Sequence, residues 1–160
     1  MEQLLGSIVV LIGAVLSVSI AGAGSSIGIS TANDAAAGVM TEDPSKFGYC
    51  LVLLALPGTQ GIYGLLIAVL ALQKIGLIGG TLSATLTLWK GLQIAVACLP
   101  VAFTGYASAV KQGKSSAAAI LMISKHPDQI GKAVILPAMV ETYAVFGLLV
   151  SILMLNGITL

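Results

Sequence analysis

Four long apolar runs alternate with short polar stretches along the chain. The runs cover roughly residues 4–33, 47–73, 86–110 and 130–155. Polar residues gather at Asn33-Asp34 and Thr41-Glu42-Asp43-Pro44-Ser45-Lys46, at Lys111-Gln112-Gly113-Lys114, and at Lys125-His126-Pro127-Asp128-Gln129. A membrane-spanning helix needs about 20 apolar residues, so the pattern predicts an all-α membrane protein with four transmembrane helices. Proline fits the first turn of a helix, where its missing N–H has no partner to lose. Pro44 and Pro127 are therefore expected to open the second and fourth helices, with Asp43 as a cap, and the preceding helices to end near Thr41 and Ser124. A helix from residue 4 to 41 is roughly 55 Å long, well beyond the ~30 Å hydrocarbon core. The hairpin tips must project into water.

The chain also repeats itself. An offset of 83 residues places Gly22 on Gly105, Ser25 on Ser108, Ala35-Ala36 on Ala118-Ala119, Pro44 on Pro127, Thr59 on Thr142 and Gly64-Leu65-Leu66 on Gly147-Leu148-Leu149. The four helices thus read as a duplicated helical hairpin, with residues 1–79 as the first repeat and 80–160 as the second. Two spans per repeat give both copies the same orientation, with both proline-containing tips on one side.

Composition narrows the function. Seven Lys and Arg together, all of them Lys, and six acidic residues make 8% charged residues, against roughly 25% in soluble domains. Mean hydropathy is +1.06, and four spans leave no room for a soluble catalytic domain. The net charge of +1 offers no field for nucleic acid. Cys50 and Cys98 lie in apolar runs without CxxC spacing and read as buried small hydrophobes. Met1-Glu2-Gln3 lacks the basic start of a secretory signal, so the first run reads as a retained span despite the small-residue stretch Ala21-Gly22-Ala23. Lys46, Lys114, Lys125 and Lys132 lie at or near the hairpin tips, with Lys111 deeper on the same side, whereas only Lys74 and Lys90 flank the opposite connection. That bias predicts cytoplasmic tips and both termini outside.

Gly22-Ala23-Gly24-Ser25-Ser26-Ile27-Gly28 fails as a dinucleotide loop, because Ile27 takes the third glycine's place and no strand precedes it. Small residues instead let membrane helices approach closely. Gly24 and Gly28 form a GxxxG pair, and Gly22 and its repeat partner Gly105 extend the small face into both halves. Helices one and three are expected to crowd a narrow axis, as on the inside of a ring.

Glu141 carries the chemistry. It sits in Val140-Glu141-Thr142-Tyr143-Ala144 with no cation on its helix nearer than Lys132, and an ionisable side chain inside a membrane usually marks an ion or proton pathway. Pro127 to Glu141 spans about 21 Å, Pro44 to Thr59 about 22 Å, and Ser124 back to Gln112 about 18 Å, so three helices bring polar groups to one level. Leu56, Thr59, Gln60 and Tyr63 share one helix face. A carboxylate, a Thr hydroxyl, two Gln amides and a backbone carbonyl freed near Pro57, that of Leu53 by helix spacing, are oxygen donors of the kind a hard cation takes. A proton would need far fewer. Tyr63 is placed to donate its hydroxyl to Glu141.

Leu56-Pro57-Gly58-Thr59-Gln60-Gly61-Ile62-Tyr63-Gly64, with Phe103-Thr104-Gly105, Gln112-Gly113-Lys114 and Val140-Glu141-Thr142-Tyr143-Ala144, resembles the membrane rotor (proteolipid, K) subunits of bacterial V-type ATPases, nearest to the sodium-pumping branch. The resemblance covers nearly the whole chain. It implies a homo-oligomeric ring in the lipid bilayer of the cell membrane, with helices one and three inside. It implies Na+ as the transported ion, with H+ as the alternative; Glu141 as its carrier; and the Leu56 carbonyl, Thr59, Gln60 and Gln112 as the other ligands, with Tyr63 bonded to Glu141. It further implies a stator subunit that supplies an Arg, central-stalk subunits at the hairpin tips, and an external ATPase head, since the chain itself is read as non-catalytic. Under the 83-residue offset Glu141 maps to Gly58, leaving one carboxylate per four helices. A rival reading is a small four-helix transporter of organic cations at Glu141, poorly served by 5% aromatic residues and by Trp89 at a membrane edge. His126, beside Pro127 at a tip, reads as a solvated loop residue.

Overall fold

The computed structural model describes residues Met1–Leu160 and contains only helices and turns. Its helices are α1 (Glu2–Glu42), α2 (Phe47–Ala55), α3 (Thr59–Lys74), α4 (Leu88–Ala97), α5 (Leu99–Lys125) and α6 (Ile130–Gly157). Four continuous stretches are long and apolar enough to cross a membrane: Glu2–Glu42, Pro44–Lys74, Leu88–Lys125 and Pro127–Gly157. They correspond to the four expected spans, with two breaks that hydropathy does not reveal. The second span passes through a 3₁₀ turn at Leu56–Gly58, because Pro57 cannot donate to the α-helical ladder. The third is interrupted at Cys98, just ahead of Pro100 in the first turn of α5. Pro137, by contrast, lies within α6 without interrupting it.

The proline-marked tips form as expected, each through one 3₁₀ turn, Pro44–Lys46 and Pro127–Gln129. Asp43 Oδ1 accepts from the Ser45 amide at 3.0 Å and from its hydroxyl at 2.6 Å. These bonds hold the Asp43 carboxyl below its ordinary value of 3.8. Their contribution is present above that value and fades as pH falls through the lowered one. At the opposite end the connection between repeats turns at Gly76, whose φ of +78 is available to glycine at little cost, and Gln3 Nε2 ties the N-terminus to it through the Ser83 carbonyl at 2.9 Å.

α1 and α5 form the most extensive helix pair. Their buried positions are largely Gly, Ala and Ser, so the two backbones touch. A Cβ on Gly24 would lie 2.5 Å from Tyr106 Cα, and one on Gly113 would strike the Gly28 backbone; Gly13 approaches α4 in the same way, 2.5 Å by this measure from Ala95 Cα. Gly105 belongs to the same packing, 3.1 Å by this measure from Ala21 Cβ. Gly22 does not share it: the space where its side chain would go is open, and what it contributes is a bare Cα 3.4 Å from the equivalent point on Gly61. The expectation of a tight contact at Gly22 came from its repeat partner Gly105, but the two copies of that position face different surroundings.

The duplication is visible in the packing of each hairpin. A Cβ on Gly64 would meet the Ser17 carbonyl and Ala21; one on Gly147 would meet the Pro100 carbonyl and Thr104. Pro100 and Thr104 are the 83-residue partners of Ser17 and Ala21. Only 44 of 160 residues are buried, so most apolar side chains must be covered by lipid or by other chains. Ile62, Leu65, Leu149 and Leu153, on α3 and α6, are among the exposed ones.

Gly28→Ala should lower stability by about 1–3 kcal/mol, since its methyl lands on the Ala109 carbonyl and on Pro57. Gly38→Ala, into open space, should be neutral or stabilising by up to ~1 kcal/mol. Thermal unfolding of both variants in detergent checks the contrast; equal melting would contradict the helix contact described.

Candidate ion-binding site

The polar residues that the depth argument placed at one level meet where the two hairpins join. Glu141 on α6 is half-buried and faces α3 and α5. Its Oε1 accepts from the Thr59 hydroxyl at 2.7 Å and from the Tyr63 hydroxyl at 2.6 Å, and its Oε2 accepts from Gln112 Nε2 at 3.3 Å. Gln60 and Gln112 are fully buried. Gln60 Nε2 donates to Gln112 Oε1, and Gln112 Nε2 also reaches the Pro137 carbonyl at 3.1 Å. The cluster therefore draws on α3, α5 and α6 and ties the first hairpin to the second.

Local sequence places each member. Thr59 opens α3 directly after the turn that Pro57 imposes, and its backbone N–H returns to the Leu56 carbonyl. The Thr59 hydroxyl also lies 3.0 Å from that carbonyl. One hydroxyl proton serves one of two acceptors, Leu56 or Glu141, and the oxygen's lone pairs remain available. The carbonyl drawn into the cluster is thus that of Leu56, where helix spacing from Pro57 pointed to Leu53. Pro57 is buried and would be 2.8 Å from a Cβ on Gly28, so the absence of a side chain at Gly28 is what lets the turn sit against α1.

One atom in the cluster has no partner: Gln60 Oε1 is buried and accepts no hydrogen bond. A buried amide oxygen without a donor is costly, and a cation would satisfy it. With the Glu141 carboxylate, the Thr59 hydroxyl, the Gln112 amide and the Leu56 carbonyl, it completes a set of hard oxygen donors suited to an alkali or alkaline-earth ion.

The family model for the ATP synthase C-subunit matches the chain twice, over residues 12–71 and 95–154. The chain belongs to the ATP synthase C-subunit family. The second match begins 83 residues after the first (95 minus 12), the same offset that superposes the two hairpins. The chain is 42% identical to the V-type sodium ATPase subunit K of Enterococcus hirae over 83% of this chain and 81% of that protein. It is 39% identical to the A-type ATP synthase subunit K of Methanocaldococcus jannaschii over 92% of this chain and 61% of that protein. It is a multi-pass membrane protein of the rotor proteolipid type, an ion-translocating part of a rotary ATPase assembly.

Sequence reasoning missed one contributor. Ser108 is buried on α5, where its hydroxyl donates to the Val140 carbonyl at 2.9 Å and lies 3.4 Å from Gln60 Nε2. It precedes Gln112 by four residues, so helical spacing alone puts the two on one face. Its repeat partner Ser25 does comparable work, accepting from the Gly61 amide at 2.8 Å. Ser108→Ala should cost about 1 kcal/mol of stability, because it removes a buried hydrogen bond between α5 and α6 and one of the two contacts of the Gln60 amide nitrogen; an unchanged melting temperature in detergent would show that Ser108 supports nothing.

Proposed function

We propose that this protein carries Na+ at Glu141, bound by the Leu56 carbonyl, Thr59, Gln60, Gln112 and the Glu141 carboxylate, with Tyr63 holding the carboxylate in place. The observation that carries this reading is the buried, unpartnered oxygen of Gln60, on an amide whose nitrogen bonds to Gln112, which in turn holds Glu141. A proton carrier has no use for a buried amide oxygen without a donor. The name of the Enterococcus hirae relative, a sodium ATPase subunit, agrees with this choice of ion.

Binding Na+ neutralises Glu141, and a neutral site can face lipid at far lower cost than a bare carboxylate. Rotation then carries the loaded site past a stator subunit. The chain contains no Arg, so the cation that displaces Na+ from Glu141 is an Arg of that stator. Moving one unit charge against 100 mV takes about 2.3 kcal/mol, which a soluble ATPase head supplies or collects; the rotor protein itself is non-catalytic. The lysine bias sets the tips on the cytoplasmic side, toward a central stalk, with both termini outside. Each repeat, 1–79 and 80–160, forms one hairpin, and because Gly58 stands where the first repeat would carry a carboxylate, one ion travels per four helices. At a given helix count such a ring moves half as many ions per turn as one of single hairpins. That gearing suits building a steep gradient from ATP.

Carbodiimide should label Glu141 in the purified protein, and Na+ should slow that labelling near neutral pH. Equal rates with and without Na+ would overturn the sodium assignment in favour of a proton-carrying ring. Glu141→Gln should abolish coupled ion transport while the assembled protein keeps its size and melting behaviour; normal pumping by this variant would remove Glu141 from the ion path altogether.

A further inference from the structure

We propose that Ser108 is a positioning residue for the ion: by giving its only proton to the Val140 carbonyl, it holds the Gln60 amide with the nitrogen bonded and the oxygen free. The inference rests on the ion-site reading above and names what sets the direction of one ligand.

The two ends of a side-chain amide differ in what they can meet, since the nitrogen donates twice and the oxygen only accepts. In this cluster the direction is passed on from α6. Gln112 Nε2 lies 3.1 Å from the Pro137 carbonyl and 3.3 Å from Glu141 Oε2, and neither a carbonyl nor a carboxylate oxygen has a proton to give. Both hydrogens of that nitrogen are thus taken, and Gln112 Oε1 is the end that faces Gln60. It accepts from Gln60 Nε2. The second hydrogen of Gln60 Nε2 is directed to Ser108 Oγ, 3.4 Å away.

A free hydroxyl would serve either end of the amide, because it both donates and accepts. Val140 removes that freedom. The Ser108 hydroxyl donates to the Val140 carbonyl at 2.9 Å, so only a lone pair remains toward Gln60. Turning the Gln60 amide over would set its oxygen against two acceptors, Gln112 Oε1 and Ser108 Oγ, and take its donors away from both. Gln60 and Gln112 are fully buried and Ser108 is 5% exposed, so water does not relieve such a clash. The nitrogen therefore binds α5, and Oε1, which accepts nothing within the chain, is kept for the ion.

Other serines in the chain show that this task is particular to Ser108. Its repeat partner Ser25 accepts from the Gly61 amide at 2.8 Å and so braces the backbone of α3, one residue beyond Gln60, without touching the side-chain amide. Ser17 donates to the Gly64 carbonyl at 2.9 Å. That is a buried serine-to-carbonyl bond between helices of the same kind as Ser108 to Val140, but it involves no member of the ion cluster. Ser17 is therefore the control for the loss of a hydroxyl as such.

The test measures, in the purified full-length protein, the Na+ concentration that halves the rate at which carbodiimide labels Glu141. Ser108→Ala should raise that concentration roughly tenfold, the worth of about one buried hydrogen bond. The labelling rate without Na+ should stay as in the unchanged protein, because Ser108 makes no bond to Glu141. Ser17→Ala should lower the melting temperature by a similar amount and leave the Na+ concentration where it was. An unchanged Na+ requirement in Ser108→Ala, or an equal rise in Ser17→Ala, would overturn the positioning role and leave sodium at Glu141 standing. Absence of Na+ protection in the unchanged protein would overturn the sodium reading and this inference with it.

Discussion

Everything in this structure depends on how closely α1 and α5 approach. In lipid there is no water to expel between helices, so association relies on packing and on polar bonds. The missing side chains of Gly24, Gly28 and Gly113 bring the two backbones into contact. That contact sets the register between hairpins, and the register puts Gln112 of the second hairpin beside Gln60 of the first. A bulkier residue at Gly28 would do more than loosen a pair of helices. It would displace Pro57 and, with it, the turn that presents the Leu56 carbonyl and Thr59.

The second constraint is electrostatic. A carboxylate held at membrane depth needs either a counter-charge or a full set of donors. Glu141 has donors from Thr59, Tyr63 and Gln112, and all of them come from outside its own helix. Holding the charge and joining the hairpins are therefore one task carried out by one set of bonds. The remainder of the chain contributes oily surface for lipid and for neighbouring copies, which is why so small a share of it is buried.

Much of the fold was legible because its signals are long and repetitive. Hydropathy marks each span over more than 20 residues, and the duplication rests on many matches at one offset. Glu141 was legible for the opposite reason, as a lone acid in an apolar run. The disturbance at Pro57 was legible as a freed carbonyl, but the break at Cys98 was not, since Pro100 breaks the ladder whereas Pro137 sits inside an intact helix. Local chemistry is the same in all three, and the packing around each decides. Gly22 shows the same limit from the other side, matching Gly105 in sequence but not in surroundings.

What the sequence determined by itself is the membrane setting, the two hairpins, the depth of the polar residues and the residue types available to hold an ion, because these follow from composition and from a helix rise of about 1.5 Å per residue. What only the tertiary structure decided is which of those groups touch. It brought the Thr59 hydroxyl to the Leu56 carbonyl, brought in Ser108 and the Pro137 carbonyl, and left Gln60 Oε1 without a donor. Depth along a helix can be counted from the sequence, but the azimuth at which one helix meets another is set by side-chain volume across the contact, and that exists only once both helices are in place.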